Sequence, residues 1–459
     1  MGSSKLHSTQ TSVLSDAEVA LAEKALEMAR EAGASACRVT LSKSVLDLVG
    51  TLDGALDKVT RCLDRSLSIA LFADGRYGSF STNRIEENAL REFIGKAVET
   101  LRMLAEDPCR SLPDPSRTEK GSVRGDETAT WDPEGYASVS AEWLVETALA
   151  DAATGRLPVP SGLTLLSEEG ELSVTASESL LLDSNGTRCR SLDTLFEYGV
   201  EVTVQVDATG EKVSGYWWDS SPWLDRLDHA GCGAVAIRRA CSAAGASPAP
   251  GGKHLMAVST ECMGKLVTPL TTALGGFALW QRNSFLEGRL GQKCFSDKLT
   301  LLDEPRVRGT NGARLYDTEG VATVNGPVIE AGVVRTCFIN TYIAAKLGMA
   351  PTVEDAMRPV LVPTRPGLTL GQWENEAPEG CIVVTGFNGG NHNGATGDFS
   401  YGIEGRIRRG GRWEPVKEML ITGNFLTLWN SVADILDDAR PCNPKSLPSV
   451  LFENVDFSG

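Results

Sequence analysis

The residues able to do hydrolytic or metal chemistry are few in this sequence, and their spacing excludes several mechanisms. There are four histidines, at positions 7, 229, 254 and 392. A zinc helix needs two ligands about one turn apart, and no pair here is that close, so H-E-x-x-H and its relatives are absent. No G-x-S-x-G nucleophile elbow and no G-x-x-x-x-G-K-[ST] phosphate loop occurs either. The eleven cysteines, Cys37 to Cys442, never form a C-x-x-C pair, which reads as reduced thiols, many of them small core residues. The densest polar cluster is Gly389-Gly390-Asn391-His392-Asn393-Gly394, which is either a tight turn between strands or a ligand-contacting loop. Tyr216-Trp217-Trp218 and Trp223, with Asp219 and Asp225 nearby, are either a stacking platform or core and rim.

These residues need elements to hold them. Ser15 and Glu18 form a capping box, after which Leu21, Ala25, Met28 and Ala32 recur at helical period up to Gly33. Cys37, Val39 and Leu41 alternate as a strand. Leu67 to Phe72 and Tyr77 to Ser81 flank Asp74-Gly75, a hairpin signal because both turn residues tolerate positive φ. Helical period returns over Glu86 to Leu104 and around Ala141 to Ala153. Leu172 to Leu182 meets another hairpin turn at Asn185-Gly186, and Val200, Val202, Val204 and Val206 alternate with polar residues. Leu224 to Ala244 reads as a helix carrying His229, whereas His7 falls in a frayed tail. Beyond Gly245 to Lys253, strands are expected at Thr300 to Leu302, Val321 to Val324, Val328-Ile329 and Val333 to Phe338. Others follow at Ile382 to Thr385, Phe399 to Ile407 and Val416 to Ile421.

The expected fold is therefore α+β, an N-terminal helix-and-sheet lobe followed by a glycine-rich, mostly β, barrel-like C-terminal lobe. Three segments are expected: 1–105, an N-terminal α+β unit; 106–245, a middle α+β unit entered through the Pro/Ser/Asp/Gly-rich stretch 106–135; and 252–459, the β domain. Of 459 residues, 47 are glycine, about 10% against a usual share of about 7%. The formal net charge of −16 argues against a phosphate-binding surface and so against direct nucleic-acid contact. The N-terminus shows no apolar leader core, and no apolar run approaches the ~18 residues that cross a bilayer, so a cytoplasmic protein without membrane contact is expected.

One stretch is far more specific. Gly386-Phe387-Asn388-Gly389-Gly390-Asn391-His392-Asn393-Gly394-Ala395-Thr396-Gly397-Asp398-Phe399-Ser400-Tyr401-Gly402-Ile403-Glu404-Gly405 resembles the hallmark of the PmbA/TldD family, once labelled modulators of DNA gyrase, in its TldE-type branch. Pro415-Val416-Lys417-Glu418-Met419, Ile421-Thr422-Gly423-Asn424, Ser284-Phe285-Leu286, Asp303-Glu304-Pro305 and Tyr316-Asp317-Thr318-Glu319-Gly320 fit the same pattern. Asp64-Arg65, Asp74-Gly75-Arg76 and Leu112-Pro113 extend it towards the N-terminus. The resemblance implies a two-part cytosolic metallopeptidase acting on small or unfolded peptides, in which TldD-type and TldE-type chains pair. The zinc helix H-E-x-x-x-H belongs to the TldD-type chain. Here the corresponding residues, Ser259 to Lys265, keep Glu261 but neither histidine, and Cys442 lies only roughly where a third, cysteine ligand is implied.

The leading expectation is thus a subunit with no catalytic or metal residue of its own, and zinc in a TldD-type partner. Gly389, Gly390, Asn391, His392, Asn393, Thr396, Asp398, Ser400 and Glu404 are the expected lining of a peptide channel. The expected ligands are unfolded or short peptides, held by strand addition. Homodimerisation of the isolated chain is also expected, because similar proteins share interfaces. A second reading makes the chain a peptidase with metal at His254, Cys262 or His392, and a third makes it a non-enzymatic regulator of DNA gyrase.

Overall fold

The computed structural model describes residues 12–459; His7 and residues 1–11 of the segment read for a leader (1–14) lie outside them. The chain begins with α1 (Asp16–Glu31), where the Ser15 side chain accepts from the Glu18 amide and Glu18 accepts from the Ser15 amide. Glu18 also binds Lys43 at 3.0 Å and Arg65 at 3.0 Å, so the cap pins the helix to the sheet beneath it. Burial raises the Glu18 carboxyl, but the Ser15 amide, Arg65 and Lys43 outweigh it and hold the group at about 2.

Then come β1 (Ala36–Leu52), β2 (Ala55–Ala73), β3 (Arg76–Thr82), α2 (Glu87–Leu101), α3 (Pro133–Ser138) and α4 (Ala141–Gly155). They are followed by β4 (Leu163–Asp183), β5 (Arg188–Val206), β6 (Lys212–Ser221) and α5 (Cys232–Ala243). The strands form one six-stranded sheet in the order β3-β2-β1-β4-β5-β6, with every neighbouring pair antiparallel. Both expected hairpins form, β2–β3 through Asp74-Gly75 (φ 50° and 71°) and β4–β5 through Asn185-Gly186. Alternation gives the sheet two faces. Val39, Leu41, Leu67 and Leu180 pack under α1 and α2, while Val174, Phe196, Val200 and Val202 pack under α4 and α5. The other face carries Ser42, Ser44, Ser173, Ser177, Glu171 and Glu197 and has no helix on it.

Residues 106–135 contain no helix or strand before α3, yet they are tied down as a strap between the lobes. Asp107 accepts from Tyr342 and Lys346, and Glu119 binds Arg306 at 2.7 Å. Further along, the Ser122, Gly125 and Thr130 carbonyls accept from the Arg190, Leu192 and Thr194 amides of β5. Because β1–β3 and β4–β6 share one sheet, the strap leaves that sheet unbroken.

The C-terminal lobe runs through β7 (Gly252–Val258), α6 (Gly264–Ala273), α7 (Gly276–Trp280), β8 (Leu301–Asp303), β9 (Gly326–Glu330), β10 (Val333–Val334), α8 (Thr341–Leu347), β11 (Pro359–Leu361) and α9 (Leu370–Trp373). It ends with β12 (Ile382–His392), β13 (Asp398–Arg409), β14 (Arg412–Asn424), α10 (Phe425–Asn430), β15 (Val432–Ile435) and β16 (Val450–Ser458). The order β14-β13-β12-β7-β16 closes through β14–β16 pairing, giving the expected barrel, with five strands. Met256, Val384, Tyr401, Ile421 and Phe452 join Leu270 of α6 and Trp429 of α10 in one core.

Three sequence expectations change. The helix read over Leu224 to Ala244 begins only at Cys232, after a short turn at Leu224–Arg226; Asp228 to Gly231 form a loop, so His229 precedes the helix. Val321 to Val324 is no strand, because Val321 and Ala322 make only isolated bridges to Thr118 and Tyr316. The strand read over Val333 to Phe338 stops at Val334, beyond which Arg335 and Thr336 donate back to the Val328 carbonyl.

Candidate functional site

Between the lobes lies a cleft of about 880 Å³. One wall is Lys212 to Tyr216 of β6 with Arg239 of α5; the other is Glu261, Cys262, Thr385, Glu404 to Arg406 and Trp413 to Lys417 of the barrel. Ion pairs bridge the two walls, Arg239–Glu261 at 3.3 Å and Lys417–Glu211. β6 is the last strand of its sheet, and among the described residues no strand pairs with its outer edge. A second cavity of about 510 Å³ opens on the helix-free sheet face and shares Tyr216 and Trp218 with the cleft, so the two form one trough.

Of the residues expected to line a channel, only Glu404 borders this cleft. The others occupy the far half and tip of the β12–β13 hairpin. Gly389, Asn391 and His392 are exposed there, and Ser400 is half-buried opposite Asn391. Gly390 has φ +81°, and a Cβ on it would sit 2.0 Å from the Ser400 carbonyl, so glycine permits the bulge there. Asn393 accepts from the Ala395 and Thr396 amides, and Thr396 donates to Asp398 at 2.7 Å. Asn424 donates to Asp398 at 2.9 Å; Asn424 and Thr396 together hold the Asp398 carboxyl below its ordinary range. These three side chains build the turn. His392 shares a hydrogen bond with the Tyr401 hydroxyl at 3.1 Å, and Lys265 stands over the Tyr401 ring at 4.6 Å. Burial, then the Lys265 charge, pushes the imidazole below its ordinary value, so it is neutral at pH 7.

The residues weighed as metal ligands are engaged elsewhere. Both ring nitrogens of His254 face backbone carbonyls, Gly380 at 2.7 Å and Pro250 at 3.0 Å. His229, read from the sequence as a helix residue and not as a ligand, lies 2.6 Å from Asp151. Ser259 to Met263 form a turn before α6 instead of a helix presenting ligands. There Cys262 is hydrogen-bonded to Ser259 and burial pushes its thiol up to about 12, while burial pushes Cys442 up to about 11. A zinc ligand must be a thiolate, a neutral imidazole or a free carboxylate, and this donor set does not fit one. Among the described residues no group of three His, Cys, Asp or Glu is arranged to hold a metal ion.

The aromatic cluster divides by strand parity. Tyr216 and Trp218 stack at 5.6 Å on the trough side; Trp217 faces Arg239 (5.0 Å), and Arg440 stands over both Trp217 (4.0 Å) and Trp218 (4.5 Å). Trp223 donates to the Ala129 carbonyl instead of joining them. Arg239 carried no sequence signal, and the motif segments that contain Lys417 and Lys265 did not reveal their partners; only docking of the lobes or packing on Tyr401 supplies these. The strict alternation of β5 into β6 was the one pattern that could have exposed Tyr216 and Trp218 as neighbours on one face. No helix of the described residues is long and apolar enough to cross a membrane.

Comparison with known proteins agrees with this architecture. Residues 135–244 match the PmbA/TldA metallopeptidase central domain and residues 251–459 the PmbA/TldA metallopeptidase C-terminal domain. Metalloprotease PmbA of Escherichia coli O157:H7 is 24% identical over 437 residues, covering 95% of this chain and 94% of that protein. The PmbA homolog of Haemophilus influenzae is 24% identical over 446 residues, with 95% and 94% covered. A crystal structure from Bacteroides thetaiotaomicron, described as a modulator of DNA gyrase, superposes with TM-score 0.91 at 36% identity, over 97% of this chain and 99% of that one. TldE from Thermococcus kodakarensis shares the fold, with TM-score 0.78 at 18% identity, covering 96% and 100%. With both domains matched in register and a relative aligned end to end, this chain belongs to the PmbA/TldD metallopeptidase family.

Proposed function

We propose that this chain is the zinc-free, TldE-type subunit of a two-part peptidase, and that a TldD-type partner supplies zinc and the hydrolytic step. The observation that carries this reading is the segment Ser259 to Met263. Its glutamate is ion-paired to Arg239 across the cleft and its thiol is protonated and half-buried. An enzyme acting alone would need ligands there, and the chemistry of these donors opposes one. The chain's own contribution is positional. The trough between β6 and the barrel holds an extended peptide, whose backbone amides and carbonyls find the unpaired edge of β6. Sequence-tolerant backbone pairing favours unfolded or short substrates, since folded chains have already satisfied these groups.

Co-expression with an H-E-x-x-x-H relative tests the reading. A stable complex by size-exclusion chromatography is expected, with zinc in the partner and cleavage of an unfolded peptide by the complex only. A partner that cleaves equally well alone, or stoichiometric zinc in this chain when purified by itself, overturns it. A role through direct DNA contact is opposed by the −16 charge and by the acidic open face of the sheet.

A further inference from the structure

We propose that the cavity on the open sheet face is a side-chain pocket for the guanidinium of an extended basic peptide whose backbone lies along the outer edge of β6. The proposal rests on the reading that a peptide occupies the interlobe cleft, and it adds which residue that peptide must carry.

The pocket is built from strand register. Glu169 pairs with Glu201, Glu171 with Gly199, and Ser173 with Glu197, so alternate residues of β4 and β5 deliver carboxylates to the same face. Next to them, Tyr216 stands opposite Glu201 and Trp218 opposite Gly199, with the two rings stacked at an interplanar angle of 19°. The cationic side chain in the lining is Lys58, already ion-paired with Glu171, and Arg440 stands 4.5 Å over the Trp218 ring, which leaves the Tyr216 ring and the β4 and β5 carboxylates to a ligand. Carboxylates beside aromatic faces recognise a planar, delocalised cation: the carboxylates accept its forked N–H groups and the rings take its face. Ser173 points independently to a ligand. The residue is 9% exposed, lines the cavity on the cavity-facing parity of β4, and its side chain makes no hydrogen bond among the described residues. Burial among these walls also pushes the Glu197 carboxyl up, a cost that a bound cation reverses.

The edge of β6 supplies the approach. Lys212 to Tyr216 line the cleft with no strand beyond them, and Arg440 caps the edge further on by donating to the Trp218 carbonyl. An added strand alternates its side chains, so every second residue faces the sheet side on which Tyr216 and the carboxylates stand.

The experiment uses the full chain alone and a fluorescein-labelled octapeptide of glycine and serine with one central arginine, read by fluorescence anisotropy. Binding that weakens about tenfold or more when the arginine becomes glutamate, and again on raising salt from 50 mM to 500 mM, is expected. The double variant Glu197→Gln/Glu201→Gln, and separately Tyr216→Ala, should each weaken the arginine peptide about tenfold with little effect on the glutamate peptide. N-methylation of alternate peptide amides should abolish binding, and free arginine amide should compete only at concentrations at least about a hundredfold higher. Equal affinity for the two peptides, unchanged Kd in both variants, or free arginine amide binding as tightly as the peptide overturns the proposal. None of these results bears on whether a partner complex forms, so failure here is separable from failure of the subunit reading.

Discussion

Glu261→Gln separates the subunit reading from that of a self-sufficient peptidase. Glutamine keeps the shape of the side chain and removes only its charge. In the structure that charge meets Arg239 at 3.3 Å, with 14% of the glutamate side chain and 31% of the arginine side chain exposed. At an effective dielectric of about 20 the bare attraction at this distance is about 5 kcal/mol. Desolvating a mostly buried carboxylate offsets most of that, leaving a net coupling of about 1 kcal/mol. Arg239 also rests over the Trp217 ring at 5.0 Å, so it keeps one partner when the carboxylate is neutralised. A double-mutant cycle with Arg239→Gln, read by chemical unfolding, should therefore return a coupling of about 1 kcal/mol. Peptide cleavage by the complex should change by no more than about fivefold, the factor that energy allows. A loss of a hundredfold or more in kcat with stability intact would refute the reasoning, because only a glutamate acting on the reacting groups produces it.

Two further perturbations test the framework around the site. Gly405→Ala places a methyl group 1.9 Å from the Val383 carbonyl, against about 3.0 Å for the tightest real contacts, so β12 and β13 must part by about 1 Å; destabilisation of about 2–3 kcal/mol is expected, and an unchanged calorimetric Tm would contradict the close approach. His229→Gln removes an imidazole whose pKa is raised above its ordinary 6.5, first by the hydrogen bond to Asp151. The stabilisation is full below about pH 6.5 and disappears as pH rises through the raised value, so the variant should lose about 1–2 kcal/mol at pH 5.5 and much less at pH 9. Equal losses at both pH values would show that the pair is not ionic.

Much of the scaffold was written locally. The Ser15–Glu18 box and the Asp74-Gly75 and Asn185-Gly186 turns form where the sequence places them, because each depends on residues a few positions apart. The glycine motif was equally legible as a feature, but its contents split. Asn393, Thr396 and Asp398 satisfy the turn itself, whereas Glu404, on the return strand, reaches the cleft. Local spacing could not separate the two groups, since a residue's place along a hairpin says nothing about which end the other lobe approaches. The helix read from Leu224 fails for a similar reason: apolar period continued through Asp228 to Gly231, while the Asp151 contact held His229 in a loop.

The sequence by itself determined the α+β class, the barrel-like second lobe, the lack of paired histidines and the family motif, all properties of residue type and short-range order. Tertiary structure alone decided that β1–β6 form a single sheet across the strap, that Arg239 reaches Glu261 and Lys417 reaches Glu211, and that stacked Tyr216 and Trp218 stand over rows of carboxylates. Each of these joins residues far apart in the chain. Their proximity is set by strand register and lobe docking, which depend on the summed burial of whole faces and leave no mark on any one stretch of sequence.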